Sequence, residues 1–363
     1  DETVQKLPQV SFFAHPQTLF RSPLFFDLSS SYVHFWRAKG MKTHRFDLLP
    51  RVSYPVRLLD VLKLESEVGL RETVYRPYDD PSNRLNQWKS REIPEAAVQM
   101  STEFYRVYDA SPSSRISSLF KVAKWMHTVE PWVAYHYSDR VDQDEFPLFD
   151  DIDRIPYTND ITYGFTQRLV GKPVREGVES GPREYGKLKI FQSYSVGDPY
   201  DRDENGKGRY FSDVIAELWW RFNPYISAYG DIGVSPYDGN VRRVDGVITL
   251  RDGRNDALQV EYHNTKDRIN AQNSIEGINL TGRLKTINPL YLHGSIRYNL
   301  KDRVWVDKLI GLEYQAQCWS LGVVVEDKGA PTTSFNTSEL TVQVYFNLMG
   351  IGSVGNRPSP MSF

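Results

Sequence analysis

The chain has a single cysteine, Cys318, among 363 residues, so no disulfide can form within it. It has no apolar run near the roughly 18 residues of a membrane helix, and its mean hydropathy is only −0.50. That excludes a helical membrane protein. A membrane β-barrel stays open, because its strands need an apolar residue only at every second position. Excess charge of either sign is lacking too, with 44 Lys and Arg against 46 Asp and Glu and a formal net charge of −2. A nucleic-acid partner would need a basic footprint, so none is expected. No stretch keeps a helical period over three turns, and no repeat of about 20 to 50 residues marks a propeller or solenoid. The seven histidines are scattered without zinc-site spacing. There is no G-x-S-x-G elbow. With no catalytic constellation, neither an enzyme nor a cofactor is expected. The chain opens at Asp1 without a signal-peptide pattern, which fits a mature protein or an excised piece of one.

What the chain has is aromatic residues and alternation. Aromatics make up 13%, with 22 Tyr, 18 Phe and 8 Trp, as interfacial girdles require. Leu340, Val342, Val344, Phe346 and Leu348 form one face of a C-terminal segment; Thr341, Gln343, Tyr345 and Asn347 form the other. Leu290, Leu292, Ile296, Tyr298 and Leu300 oppose Tyr291, His293, Ser295, Arg297 and Asn299 in the same way. Upstream, Phe46, Leu48, Val52 and Tyr54 alternate with Arg45, Asp47, Arg51 and Ser53. Such segments predict about 17 strands, at 8–14, 23–37, 41–55, 61–76, 91–108, 116–137, 159–169, 183–196, 209–222, 225–235, 241–251, 256–265, 273–285, 289–300, 304–315, 318–326 and 338–349. Most reach the roughly 9–11 residues of a membrane crossing.

The connections alternate in kind. Tight ones fall at 316–317, 286–288, 252–254 and 221–224, and long polar ones at 327–337, 266–272, 199–208, 138–158 and 77–90. Short turns on one side and long loops on the other mark an outer-membrane barrel. The segment 170–182 breaks the rule, being long on the short-turn side. A large soluble antiparallel sheet also alternates, but polar faces this rich in Arg, Glu and Gln would leave one side without a core.

Three features bear on chemistry. Asp201-Arg-Asp-Glu-Asn-Gly206 matches the first half of a calcium loop, yet Ser212 stands where the bidentate Glu belongs, so an exposed turn is expected. The cluster Asp150, Asp151 and Asp153 reads as a similar turn or as a weak surface cation site. Cys318 shares parity with Ser320 and Gly322, which puts it on the polar face beside a short turn. It is either a packing residue or, in an oxidising compartment, half of a bond to something outside this chain.

A set of ordered motifs runs through nearly the whole chain. It comprises Leu7-Pro-Gln-Val10, Arg45-Phe-Asp-Leu-Leu-Pro50 with Tyr54-Pro55, Gly69-Leu-Arg-Glu-Thr73 with Tyr75, and Ser90-Arg-Glu92. It continues through Arg106-Val-Tyr108, His127-Thr-Val-Glu-Pro131 with Tyr135, Phe146-Pro-Leu-Phe-Asp150 with Asp153, and Gly311-Leu-Glu-Tyr314 leading to Gln317-Cys-Trp319. Together these resemble the barrel domain of the LptD family, the lipopolysaccharide-assembly outer-membrane proteins also called organic solvent tolerance proteins. The resemblance implies an all-β, antiparallel transmembrane barrel of about 26 strands behind a periplasmic jellyroll. Residues 1–363 would then be its incomplete C-terminal portion, lacking the jellyroll and the first barrel strands.

The same resemblance implies lipopolysaccharide transport in the Gram-negative outer membrane. The jellyroll would receive lipopolysaccharide from a periplasmic bridge protein, and the sugars would cross the lumen. They would leave through a lateral gate whose last strand is Leu340, Thr341, Val342, Gln343, Val344, Tyr345, Phe346, Asn347 and Leu348. The partners implied are lipopolysaccharide, an LptE-like plug lipoprotein, the bridge protein and outer-membrane lipids. For Cys318 it implies a disulfide to the absent periplasmic domain; where the family often has a second cysteine, this chain has Gln317. The rival readings are a porin or ligand-gated receptor, and a soluble carbohydrate-binding β-protein.

Overall fold

The structure, a computed structural model, describes residues 4–79, 87–109, 120–175, 178–203, 205–254, 256–266, 274–329, 339–348 and 352–354. Among these, no helix is long and apolar enough to cross a membrane. Among the described residues seventeen long strands follow one another: β1 (Gln5–Thr18), β2 (Phe25–Trp36), β3 (Lys42–Leu58), β4 (Leu62–Tyr78), β5 (Lys89–Thr102), β6 (Val122–Ser138), β7 (Thr158–Arg175), β8 (Arg183–Ser195) and β9 (Val214–Arg221). Then come β10 (Ile226–Val234), β11 (Val241–Arg251), β12 (Ala257–Thr265), β13 (Ile275–Ile287), β14 (Leu290–Asn299), β15 (Val304–Gln315), β16 (Trp319–Lys328) and β17 (Glu339–Leu348). Phe104–Asp109 continues β5 past a break at Glu103.

Two compact units divide the chain. The first is Asp1–Phe104, Glu130–Phe165 and Phe191–Ser212; the second is Tyr105–Val129, Thr166–Ile190 and Asp213–Phe363. In the first, β1 to β5 pair antiparallel in chain order, and Glu95–Ser101 of β5 pairs with Trp132–Ser138 of β6. Pro8 and Pro16 lie within the two register shifts of β1, where a missing ladder donor is tolerated. Between β3 and β4, Leu59 and Asp60 take φ of +52° and +57°, the left-handed pair that closes a tight hairpin. In the second unit, β9 to β17 pair antiparallel in unbroken chain order.

The faces of these sheets are sorted opposite to a water-soluble sheet. In the second unit Ile310, Leu312, Val323, Val342 and Val344 are exposed, while His293, Ser295, Asp307, Glu313 and Ser320 are buried. In the first, Phe46 and Val68 are exposed and Arg45, Asp47, Thr73 and Arg91 are buried. A soluble sheet hides its apolar face. Strands that read apolar-out and polar-in suit lipid on one side.

The segment 170–182 corrects the expectation of a long connection. β7 runs on to Arg175, and Val174 and Arg175 pair back on Val178 and Glu179, so the turn is tight after all. Gly171-Lys-Pro173 looks like a strand breaker, yet Gly171 has a packing reason. A Cβ there would lie 2.7 Å from the Tyr185 ring and 3.0 Å from that of Trp125, which pack with Val122. Residues 116–119, expected in a strand, and much of 77–90, 266–272 and 327–337 lie outside the described residues.

Candidate functional site

The connection 139–157, expected only as a long polar loop, lies against the polar face of β2–β5. It is built on Asp150 and Asp153, whose spacing makes a capping box around the short 3-10 turn Asp151–Asp153. Asp150 Oδ1 accepts from the Ile152 amide at 3.2 Å, and Asp153 Oδ2 accepts from the amides of Asp150 at 3.0 Å and Phe149 at 2.7 Å. The other oxygen, Asp153 Oδ1, accepts from Arg45 Nη1 at 2.7 Å and from the Tyr75 hydroxyl at 2.9 Å. Asp153 is thus a fully buried carboxylate satisfied by four donors.

Arg45, only 1% exposed, also grips Asp150 with both terminal nitrogens, and Lys6 Nζ reaches Asp150 at 3.0 Å. Burial works against the charge on Asp150, but hydrogen bonds from Arg45 and Lys6 outweigh it and hold its pKa below the ordinary carboxylate value. Arg91 is equally buried. It donates to the carbonyls of Ile152 at 2.6 Å and Asp153 at 3.1 Å, and to Gln143 Oε1 at 2.6 Å. Behind it Thr73 donates to Asp47 at 2.7 Å, and Arg71 reaches the same carboxylate at 2.9 Å. Rings complete the contact: Phe149 stacks on Phe35 with centroids 4.6 Å apart, and Phe146 tilts against Tyr75 at 5.3 Å. The Nε atoms of Arg45 and Arg91 are buried without a partner.

This corrects the cation-site reading of the acidic cluster. The carboxylates of Asp150 and Asp153 already have arginine and amide donors, so their chemistry is fastening, not metal capture. The fastening partners have a signal in the sequence, since Arg45, Asp47, Thr73, Tyr75 and Arg91 share one strand face by parity. What the strand pattern does not say is which loop meets them. In the half calcium loop, Asp203 Oδ1 accepts from the amides of Asn205 and Lys207, both at 2.9 Å, an Asx turn closing the hairpin of Asp201–Arg202 with Gly208–Arg209. Glu204 lies outside the described residues. Among the described residues, no group of three or more His, Cys, Asp or Glu is set to hold a metal.

Cys318 is a free, exposed thiol in the turn between β15 and β16, which the Ala316 amide closes on the Trp319 carbonyl at 2.8 Å. Just beyond it, Ser320 and Gly322 are buried and Trp319 and Leu321 exposed, so the strand follows the expected parity. In β17, Val344 is 59% exposed and Tyr345 1%. Tyr345 lies across Gly322, where any Cβ would collide with its ring, and joins Leu309 and Val324. β17 pairs with β16 along its length, and on its other side Phe346–Leu348 meets Gly352–Val354. Between Glu339 and Val344 that second edge has no ladder partner among the described residues.

Compared with known proteins, residues 1–304 match the family model described as LptD, LPS transport system D. Curated relatives called LPS-assembly protein LptD include one from Pseudoalteromonas atlantica, 23% identical over 91% of this chain and 44% of its own length. Another, from Cupriavidus metallidurans, is 26% identical over 88% of this chain and 39% of its own. The chain thus spans less than half the length of these relatives. Among solved structures it is similar to the alcaligin outer-membrane receptor FauA of Bordetella pertussis, with 12% identity, a TM-score of 0.39, and coverage of 96% of this chain and 65% of that one. It is also similar to the FrpB iron transporter of Neisseria meningitidis, with 11% identity, a TM-score of 0.43, and coverage of 96% and 68%. At those scores the receptors' activities remain theirs.

Proposed function

Because the chain belongs to the LptD family of LPS transport proteins, we propose that it is the C-terminal part of an outer-membrane barrel that delivers lipopolysaccharide to the outer leaflet. Its location is the Gram-negative outer membrane. The observation that carries the reading is the inverted sorting of faces, with Val342 and Val344 exposed and Arg45, Arg91, His293 and Glu313 buried. The apolar face meets acyl chains and the polar face lines the lumen. Guanidinium and amide donors there hydrogen-bond sugars and phosphates. No bond is made or broken in such a passage, so what the chain contributes is a path.

The free edge of β17, from Leu340 to Val344, is one side of a lateral gate whose other side is the first strand of the whole protein. A plug lipoprotein fills the lumen, and a periplasmic bridge delivers lipopolysaccharide to the jellyroll that precedes the barrel. Cys318, exposed in a short turn on the periplasmic side, forms a disulfide to that jellyroll. A cysteine pair locking the β17 edge to the first strand tests the gate. Export of lipopolysaccharide to the cell surface is expected to stop while the barrel still assembles. Normal export through a demonstrably locked seam would remove the gate.

A further inference from the structure

On the face of β2–β4 away from the 139–157 loop lies a second polar cluster, at the same height along the strands. His34 and His44 are cross-strand partners, and His44 in turn faces Arg76. Three basic side chains therefore form one row over three strands. The imidazoles stack, with centroids 4.2 Å apart and planes 13° from parallel.

The hydrogen bonds account for three of the four imidazole nitrogens. His34 Nδ1 is 2.7 Å from the Leu7 carbonyl, which can only accept, so that nitrogen carries a proton. Its Nε2 lies 2.6 Å from the Tyr78 hydroxyl. The Tyr32 hydroxyl is 2.8 Å from His44 Nδ1, so Nε2 is the ring nitrogen left for another group. Nε2 has no hydrogen-bond partner among the described residues, and His44 sits in the row beside Arg76. The Arg76 guanidinium lies 5.6 Å above the ring of Trp88. Close by, Lys42 is paired with Asp79 at 2.7 Å.

Arg76 carries a fixed positive charge beside the His44 ring, and an anion placed between the two can take a hydrogen bond from each. The surroundings say which anion. This face is otherwise the exposed apolar one, with Trp36 and Phe46 exposed beside the row. Amphipathic rings with cations among them are the signature of a membrane–water boundary. The strand ends here lead into the 79–88 and 139–157 connections, the long-loop end, which in such barrels is the outer side.

We propose that this row binds the phosphate of an anionic lipid in the outer leaflet, with His44 Nε2 and Arg76 as donors. His34, Tyr32 and Tyr78 act as positioning residues. The proposal takes only the membrane location from the transport reading, and a lipid held here is a resident of the barrel's outer surface, not cargo in its lumen. A free phosphate ion offers the same oxygens, so the test separates the two.

The test is native mass spectrometry of the full-length protein in detergent. It is titrated with bisphosphorylated lipid A, with the same lipid A stripped of its phosphates, and with inorganic phosphate as competitor. The bisphosphorylated lipid is expected to be retained over the stripped one. His44→Ala with Arg76→Gln should weaken that retention about tenfold or more, while Arg76→Lys keeps most of it. Folding of each variant is read from heat-modifiable migration; should the double variant misfold, the two lipids on the unaltered protein decide. Equal retention of both lipids, or by a folded double variant and the unaltered protein, overturns the proposal. So does displacement by millimolar inorganic phosphate. Surface export is measured in parallel, so that loss of the lipid with normal export leaves the transport reading standing.

Discussion

Four donors converge on Asp153, and two of them, Arg45 and Tyr75, come from strands that the loop reaches only when folded back. Removing that carboxylate leaves Arg45 buried and half-paired, which typically costs about 3–5 kcal/mol. Asp153→Ala is therefore expected to free the loop. Trypsin added to intact cells should then cut at Arg140 or Arg154, which the unaltered protein resists; equal resistance would mean that the knot does not hold the loop. Acid should act in the same direction. The Asp150 pKa is depressed in the folded protein, so its contribution is present above the unfolded carboxylate value and is lost as pH falls through the lower folded one. Loop release is expected below about pH 4 and not between pH 5 and 8. For Cys318, the expected outcome is a mobility shift of the full-length protein on reduction that vanishes in Cys318→Ser. Identical migration of both proteins under both conditions would make the thiol an unpaired surface group.

The strand β17 carries its own test of register. Val344 points out of the exposed apolar face and Tyr345 into the buried one, so Gln343 belongs with Tyr345. Arg in place of Val344 should cost roughly 2–4 kcal/mol if that face meets lipid, whereas Arg in place of Gln343 should be tolerated. Unfolding titrations in lipid vesicles check this, and equal losses would count against a membrane strand. The strands were readable from sequence because each separates two media, and period two records that residue by residue. The reading failed where one residue had a distant reason. Gly171 ends an apparent strand on paper but in the fold makes room for Tyr185. The docked loop was hidden for a related cause. Arg45 and Asp150 lie 105 positions apart, and no local pattern couples them.

For the whole protein, two classes of outer-membrane barrel make different demands. A translocon of the kind proposed needs its lumen filled, so affinity purification from membranes should recover a lipoprotein in stoichiometric amount. A diffusive porin needs an open lumen, so the purified protein alone should conduct ions across a planar bilayer. Recovery of the lipoprotein together with low conductance is the expected pair of results. High conductance from the purified protein with no lipoprotein would transfer the chain to the porin class.

Between β9 and β17, consecutive strands bond to one another in chain order. Such a meander constrains how its genes can change length. Deleting a whole hairpin removes one upward and one downward strand and leaves the direction of all later strands intact. Deleting a single strand would reverse every later one and carry the turn bearing Cys318 to the other side of the bilayer. Insertions and losses among relatives should therefore come in pairs of strands, while single-residue changes of length collect in the long loops, where no parity is at stake.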